Sequence, residues 1–190
     1  MKYSIIMILF VLAIQACNTP TPVEEKDIRL SQQQLVKRGK YLVAILDCAT
    51  CHSPKVLTTQ GPIPDSSRIM SGHPENLELP EFDRKLIYKD GWALMSGTVT
   101  AFVGPWGTSY AGNLTPDETG IGAWTEAQFI AALKRGKYKG LDGSRPLMPP
   151  MPVTAFSHLT DEDAKAIFAY LKTIRPVKNI VPNYQPPTAP

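Results

Sequence analysis

The pentapeptide CATCH, from Cys48 to His52, constrains this chain of 190 residues more than any other feature. It holds two of the three cysteines, three residues apart, and a histidine directly follows the second one. Two thiols beside an imidazole can bind a metal ion, form a redox-active disulfide or attach a prosthetic group. The rest of the sequence has to decide between these chemistries.

The first residues have the pattern of an export signal. Lys2 precedes an apolar run from Ile5 to Ile14, which is too short to cross a bilayer with ease and is typical of a signal-peptide core. The run ends in "IQAC", which resembles a bacterial lipobox, so residues 1–16 are predicted to be a lipoprotein signal peptide. Cys17 is predicted to carry lipid, and a plain signal peptide with an incidental cysteine is the alternative.

The domain boundaries follow from composition. Residues 17–30 are polar and contain prolines, which predicts a tether. The folded domain is expected at 31–180, and residues 181–190 are a proline-rich tail or a strap on the surface. Such a protein would lie on the periplasmic side of a bacterial membrane, and Asn18 favours the outer membrane. The formal net charge of +3 is too small to indicate nucleic-acid binding.

Three segments carry the signal of a capped helix, in which Ser or Thr precedes the first turn. The first helix is expected from Ser31 to about residue 48, and the second from Thr125 to Gly136. The third begins at Thr160, where three acidic residues favour the positive helix end, and a proline ends it. The predicted fold is mainly α, and three helices of this length form a thin core that something else must fill.

Residues 53–123 differ from the helical segments because prolines and glycines punctuate them. Asp90-Gly91 lies between two short apolar runs, which is the signal of a two-residue β-hairpin. The sequence therefore predicts a small hairpin within a long irregular loop.

The CATCH segment matches C-x-x-C-H, the attachment motif of a c-type haem. Cys48 and Cys51 would form thioethers with the two vinyl groups of one porphyrin, and His52 would bind the iron. A thioredoxin-like dithiol needs a βαβ context, and a zinc site completed by His73 and His158 would leave His52 idle. A structural disulfide would close a trivial loop. One covalently bound haem c is the favoured cofactor, because the export signal delivers the chain to the compartment where such haems are attached.

A second axial ligand to the iron is expected from the segment SRPLMPPMP, residues 144–152. Its four prolines stiffen the loop, so that a weak thioether ligand is held at little entropic cost. Met151 is the favoured ligand, because Pro152 and Phe156 follow it and shield a haem face. Met148 is the first alternative, and His73 and His158 are further ones.

With these motifs in place, the chain resembles a class I cytochrome c. The segments NLTPDETGIGAWTEAQFIAALKRGK, PPMP and LTDEDAKAIFAYLKTIRPV are similar to the cytochrome domains of periplasmic alcohol, aldehyde and gluconate dehydrogenases. The resemblance covers roughly residues 35–180 and corresponds to a single such domain. It implies a cytochrome c fold in which the first and last helices cross, with Gly39 and Tyr170 suitably placed at the crossing.

The resemblance also implies further contacts around the haem. A proline carbonyl in the loop after the motif would accept the proton of the proximal imidazole, and Pro62 or Pro64 is suitably placed for this. Trp106 or Arg145 would reach a haem propionate.

The sequence thus predicts an electron carrier and not an enzyme. A lipid-anchored domain with one haem, ligated by His52 and Met151, would exchange electrons with a dehydrogenase, a respiratory complex or an oxidase. One alternative is a haem enzyme or gas-responsive protein whose sixth ligand is labile. Another is an electron-transfer subunit permanently docked to a dehydrogenase.

Overall fold

The computed structural model describes residues 30–187, so the predicted signal peptide, Cys17 and nearly all of the predicted tether lie outside the described residues. The α-helices are α1 (Gln32–Ile45), α2 (Cys48–His52), α3 (Lys85–Tyr88), α4 (Glu126–Arg135), α5 (Val153–Phe156) and α6 (Asp161–Leu171). Short 3₁₀ turns lie at Ser66–Arg68 and Tyr138–Gly140. Within the described part, no helix has the length and apolar character needed to cross a membrane.

Two small antiparallel sheets accompany the helices. Strands β1 (Lys55–Thr58) and β2 (Gly61–Pro64) form a hairpin in which Lys55 lies opposite Pro64. Strands β3 (Leu94–Met95), β4 (Ala101–Gly104) and β5 (Gly107–Tyr110) form the second sheet in that order, with Ala101 opposite Tyr110. The domain therefore combines helices with small sheets and long loops.

The predicted helix starts at Ser31, Thr125 and Thr160 are confirmed. In each case the hydroxyl accepts a hydrogen bond from the backbone N–H three residues later. This bond satisfies one of the four N–H groups that a helix leaves unpaired at its start. The first helix ends at Ile45 rather than near residue 48, because Asp47 adopts a left-handed conformation with φ of 51°.

The hairpin predicted at Asp90-Gly91 is wrong. The apolar residues before it form α3, and the N–H of Asp90 donates to the carbonyl of Lys85 at 3.1 Å. Gly91 then turns the chain with φ of 77°, and the N–H of Trp92 donates to Leu86. The Asp-Gly pair thus ends a short helix, and the hairpins lie at β1–β2 and β4–β5 instead.

The hydrophobic core lies where α1, α4 and α6 meet. Its buried side chains come from these helices, from α5 and from the loops beside them, and they include Leu42, Val43, Met70, Ile121, Phe129, Leu133, Phe156, Ile167 and Leu171. Cys48 and Met151 are partly buried and pack against the same cluster. The core therefore joins the two regions that the sequence assigned to the cofactor.

Gly39 permits α1 to lie directly against the backbone of α6. A Cβ atom at this position would be 1.8 Å from the carbonyl oxygen of Ala166 and 2.8 Å from Cβ of Tyr170. Only glycine fits so close an approach, and the predicted placement of Gly39 and Tyr170 at the crossing is confirmed. Arg38 and Asp163 form an ion pair beside the same crossing.

Candidate cofactor-binding site

The CATCH motif forms helix α2, a short helix set off from α1 by the left-handed Asp47. Residues three apart lie on the same face of a helix, so the thiols of Cys48 and Cys51 share one side. Both thiols are free and half-buried. This is the arrangement that two thioether bonds to one flat ligand require.

The imidazole of His52 is oriented by a backbone carbonyl. Its Nδ1 lies 2.8 Å from the oxygen of Gly112 and donates a proton to it, so Nε2 is the nitrogen that remains for a metal. Burial lowers the pKa of His52, and the hydrogen bond to Gly112 partly opposes this. The neutral imidazole, which is the form that binds metals, is therefore favoured.

Gly112 lies 60 residues from His52 in the sequence, and the segment at residues 70–73 brings the two together. The N–H of Gly72 donates to the carbonyl of His52 at 2.8 Å, and the N–H of His73 donates to Ala111 at 2.9 Å. Gly72 has φ of 80°, and a Cβ on it would lie 2.6 Å from the carbonyl carbon of Gly112. The approach therefore needs a glycine at position 72.

The assignment of the imidazole partner to Pro62 or Pro64 is wrong. Both prolines lie on β2, in an exposed stretch of the β1–β2 hairpin, and the carbonyl at Nδ1 is that of Gly112. Strand pairing with β1 holds β2 in this hairpin. Sequence reasoning missed Gly112 because it considered only the loop just after the motif. A glycine pair with the spacing of Gly72 and Gly112 gives no signal of its own.

The thiols do not have the electrostatics of a redox dithiol. Burial raises the pKa of Cys48 to about 11, and it also raises the pKa of Cys51. Reactive C-x-x-C cysteines have lowered pKa values because helix ends or cations stabilise the thiolate. Here the protonated thiols are favoured at neutral pH.

The zinc alternative also lacks its ligands. His73 is buried, and its ring nitrogens lie 2.8 Å from the Thr100 hydroxyl and 3.0 Å from the Leu77 carbonyl. His158 is exposed. Across residues 30–187, no three His, Cys, Asp or Glu side chains are grouped as a metal site requires. His73 is thus a hydrogen-bonded core histidine, as expected for most buried histidines.

The loop that carries both candidate methionines is anchored at several points. The N–H of Leu147 donates to Gly136 at 2.7 Å, and the hydroxyl of Ser109 donates to the Pro149 carbonyl at 2.6 Å. Met151 packs against the hydrophobic cluster, whereas Met148 is half-buried nearer the loop's anchor. The structure thus presents Met151 on the same core that Cys48 borders.

Arg145 belongs to the methionine loop, residues 144–152, and Trp106 is linked to this loop through Ser109. The indole N–H of Trp106 donates to the Ser109 hydroxyl at 3.3 Å. The Arg145 guanidinium lies 3.9 Å from the centroid of the Tyr138 ring and donates to the Pro146 carbonyl at 2.9 Å. Each side chain already has a protein partner, which holds it close to the loop.

The residues present fit a covalently attached haem. The two free thiols, the neutral imidazole directly after them and a thioether on the same apolar cluster are the donor set that a c-type haem needs. The partly buried edge of the cluster at Cys48 and Met151 is where a large apolar ring would complete the packing.

Several known proteins are similar to this chain over most of its length. The fructose dehydrogenase cytochrome subunit of Gluconobacter japonicus is 32% identical over 179 residues, which is 93% of this chain and 29% of that protein. The gluconate 2-dehydrogenase cytochrome c subunit of Pantoea cypripedii is 33% identical over 137 residues, 72% of this chain and 22% of that protein. The chain is similar to the cytochrome c subunits of dehydrogenases. The resemblance predicted from the sequence is thereby confirmed.

A further relative is the cytochrome c subunit of the quinone-dependent alcohol dehydrogenase of Gluconobacter oxydans. It is 30% identical over 149 residues, which is 77% of this chain and 23% of that protein. The chain spans less than a third of the length of each of these three relatives. No family model matches the chain. The similarity thus concerns one cytochrome-like portion of longer proteins.

Proposed function

We propose that this chain is an electron carrier with one haem c, bound covalently by Cys48 and Cys51 and ligated by His52 and Met151. The observation that carries the proposal is the single helical turn of the motif, whose imidazole is held by the Gly112 carbonyl. A bound haem would supply one-electron chemistry at its iron. It is proposed to carry electrons rather than to be an enzyme, because the relatives are named as cytochrome subunits of dehydrogenases.

The protein residues would fix the cofactor and keep water away from it. Cys48 and Cys51 would hold one edge of the ring, and the Gly112 carbonyl would keep His52 in one tautomer and orientation. A histidine and a methionine together raise the reduction potential of a haem. The apolar cluster behind Met151 would exclude water from the iron and limit rearrangement during electron transfer.

We also propose that the domain has the mainly α cytochrome c fold, with α1, α4 and α6 as its principal helices. The close crossing of α1 and α6 at Gly39 supports this. Trp106 and Arg145 are proposed to hold a haem propionate, since Arg145 lies in the methionine loop and Trp106 is bonded to Ser109, which holds that loop.

We propose that the chain is exported and anchored to a bacterial membrane, facing the periplasm, through lipid on Cys17. The lipobox-like sequence before this cysteine supports the anchor, and the outer membrane is the proposed location. The partner is proposed to be a dehydrogenase, because the relatives are named as dehydrogenase subunits. A transient partner would need only a small interface. Copurification of a dehydrogenase with detergent-extracted protein would instead favour a permanent subunit.

The first experiment is an absorption spectrum of the haem-loaded protein, reduced and then exposed to carbon monoxide. The spectrum should stay unchanged in the minutes after mixing, because two protein ligands would fill both axial positions and carbon monoxide could enter only slowly, as one of them leaves the iron. A carbon monoxide complex would instead favour a gas-responsive protein or a haem enzyme with a labile sixth ligand.

The assignment of the second ligand is tested by Met151→Ala, with Met148→Ala as the matched control in the same loop. Met151→Ala should lower the reduction potential and allow carbon monoxide to bind, because the thioether that stabilises ferrous iron is lost. Met148→Ala should change neither property. The reverse pattern would assign the ligand to Met148, and two unchanged variants would refute ligation by a methionine of this loop.

A further inference from the structure

The segment after the predicted domain boundary is bonded to the second sheet. We call residues 181–187 the C-terminal strap. The backbone of Gln185 exchanges two hydrogen bonds with Thr108 on β5, at 2.8 and 3.0 Å. The hydroxyl of Tyr184 donates to the carbonyl of Trp106 at 2.5 Å. The strap therefore extends the edge of the sheet by one short stretch of chain.

The strap and this edge also touch closely enough to dictate a residue type. A Cβ atom on Gly107 would lie 2.2 Å from the carbonyl oxygen of Gln185 and 2.8 Å from the carbonyl carbon of Pro186. Gly107 has φ of 98°, which also favours glycine. The close contact between Gly107 and the strap is therefore part of the fold.

The same strand holds the methionine loop. Ser109, the residue after Thr108, donates its hydroxyl proton to the carbonyl of Pro149, two residues before Met151. Trp106 donates to this hydroxyl through its indole N–H. Strand β5 thus joins the strap on one side to the methionine loop on the other.

A second connection runs through Arg145, which lies in the methionine loop. Its guanidinium carbon is 3.9 Å from the centroid of the Tyr138 ring and 5.0 Å from that of Tyr184. Cation–π attraction to two rings fixes the start of the loop against the strap. Tyr184 therefore holds the loop directly through its ring and indirectly through its hydroxyl.

We propose that Tyr184 is a positioning residue that keeps Met151 on the iron. The strap contacts both β5 and Arg145 through Tyr184 and its neighbours. Strand β5 holds the methionine loop at Pro149, and Arg145 holds it at its start. Loss of the tyrosine frees the loop to move, so that the thioether leaves the iron more often. This inference rests on the proposed function, since it requires Met151 to be the ligand.

The test uses the haem-loaded full chain with Tyr184→Phe, which removes only the hydroxyl, and Tyr184→Ala, which also removes the ring. The rate of carbon monoxide binding to the ferrous protein should rise roughly two- to tenfold in Tyr184→Phe, the range expected for one hydrogen bond. It should rise further in Tyr184→Ala. Amide hydrogen exchange should accelerate at Arg145, Leu147, Met148 and Met151, the residues of the loop between 145 and 151 that carry a backbone N–H. Tyr41→Ala is the control, since Tyr41 is 61% exposed on α1, and it should leave both readouts unchanged.

The outcomes separate this inference from the proposed function. If Met151→Ala opens the iron but both Tyr184 variants bind carbon monoxide at the wild-type rate, the inference is overturned and the proposed function stands. Exchange that accelerates uniformly over the domain would show a general loss of stability and would also overturn it. If Met151→Ala leaves the iron closed, the ligand assignment fails and the inference fails with it.

Discussion

The crossing of α1 and α6 offers the sharpest test of how this domain is held together. Replacing Gly39 by Ala adds one methyl group at the point of closest approach. That Cβ atom would lie 1.8 Å from the carbonyl oxygen of Ala166 and 2.5 Å from its carbonyl carbon. Carbon–oxygen contacts normally measure about 3.3–3.6 Å. Because the obstacle is helix backbone, no side-chain rotation relieves the clash, and the two helices must separate by roughly 1.5 Å.

The cost can be estimated from the contacts that the separation breaks. A radial gap of about 0.5–1 Å already removes a quarter to a half of the dispersion energy between facing atoms. Leu42, Val43 and Ile167 of the core would lose much of their packing, on the scale of about 2–5 kcal/mol known for large core truncations. Alanine regains up to about 1 kcal/mol in helix propensity over glycine. The net expectation is a loss of about 3 kcal/mol of unfolding free energy.

Thermal unfolding of the haem-loaded protein, followed by circular dichroism, measures this loss. For a domain of this size about 3 kcal/mol corresponds to a fall in Tm of roughly 6–12 °C. Gly97→Ala is the matched control, because a Cβ there meets nothing within 4 Å, and it should change stability by less than about 0.5 kcal/mol. A Gly39→Ala protein that melts within about 2 °C of the wild type would refute the reasoning about close helix approach.

Two further predictions concern the anchor and the acid stability. Cys17→Ser should release the protein from membranes, because lipid can no longer be attached. Equal membrane recovery of Cys17→Ser and wild type, with no lipid mass on either, would contradict the anchor. Hydrogen bonds from Ser67 and Arg68 lower the pKa of Asp65 to about 2. The contribution of Asp65 to the free energy of unfolding is present above its unfolded pKa of about 3.9, and it is lost as the pH falls towards 2. Asp65→Asn should therefore flatten the loss of stability between pH 4 and 2 in urea unfolding, and an unchanged slope would contradict this.

The sequence predicted those parts of the fold that depend on neighbouring residues. The starts at Ser31, Thr125 and Thr160 were predictable because a cap is a bond across three residues. The prediction of a hairpin at Asp90-Gly91 also rested on neighbouring residues, but it was wrong. An Asp-Gly pair can end a helix as well as form a two-residue turn. The flanking apolar residues were too few to show a period of two or of 3.6.

The candidate site likewise has one part that the sequence predicted and one part that it did not. The motif at Cys48–His52 is contiguous and was visible in the sequence, whereas the carbonyl of Gly112 depends on the path of the backbone over 60 residues. A carbonyl also belongs to every residue type, so no sequence signal marks the one that is used. The glycine requirement at Gly72 is a consequence of the same approach and becomes apparent only with the structure.

Both proposed ligands depend on the chain that follows the last helix. On the histidine side, Asn179 donates to the carbonyls of Ser71 and His73 at 2.6 and 2.8 Å. It thereby fixes the segment that carries Gly72 and brings Gly112 to His52. Such a buried amide is costly to remove, since the carbonyls it satisfies would remain unpaired.

On the methionine side, Tyr184 and Gln185 fix β5, and Ser109 of β5 fixes Pro149. The last helix ends at Leu171. The chain from there to residue 185 therefore passes first the segment that orients His52 and then the strand that holds the methionine loop. A domain boundary at residue 180 would therefore place Asn179 and Gln185 on opposite sides, although both are hydrogen-bonded to the rest of the fold. Hydrogen bonds tie the chain to the rest of the fold as far as Gln185. If the proposed ligands are correct, this final segment, which lacks regular structure, supports both the imidazole and the thioether.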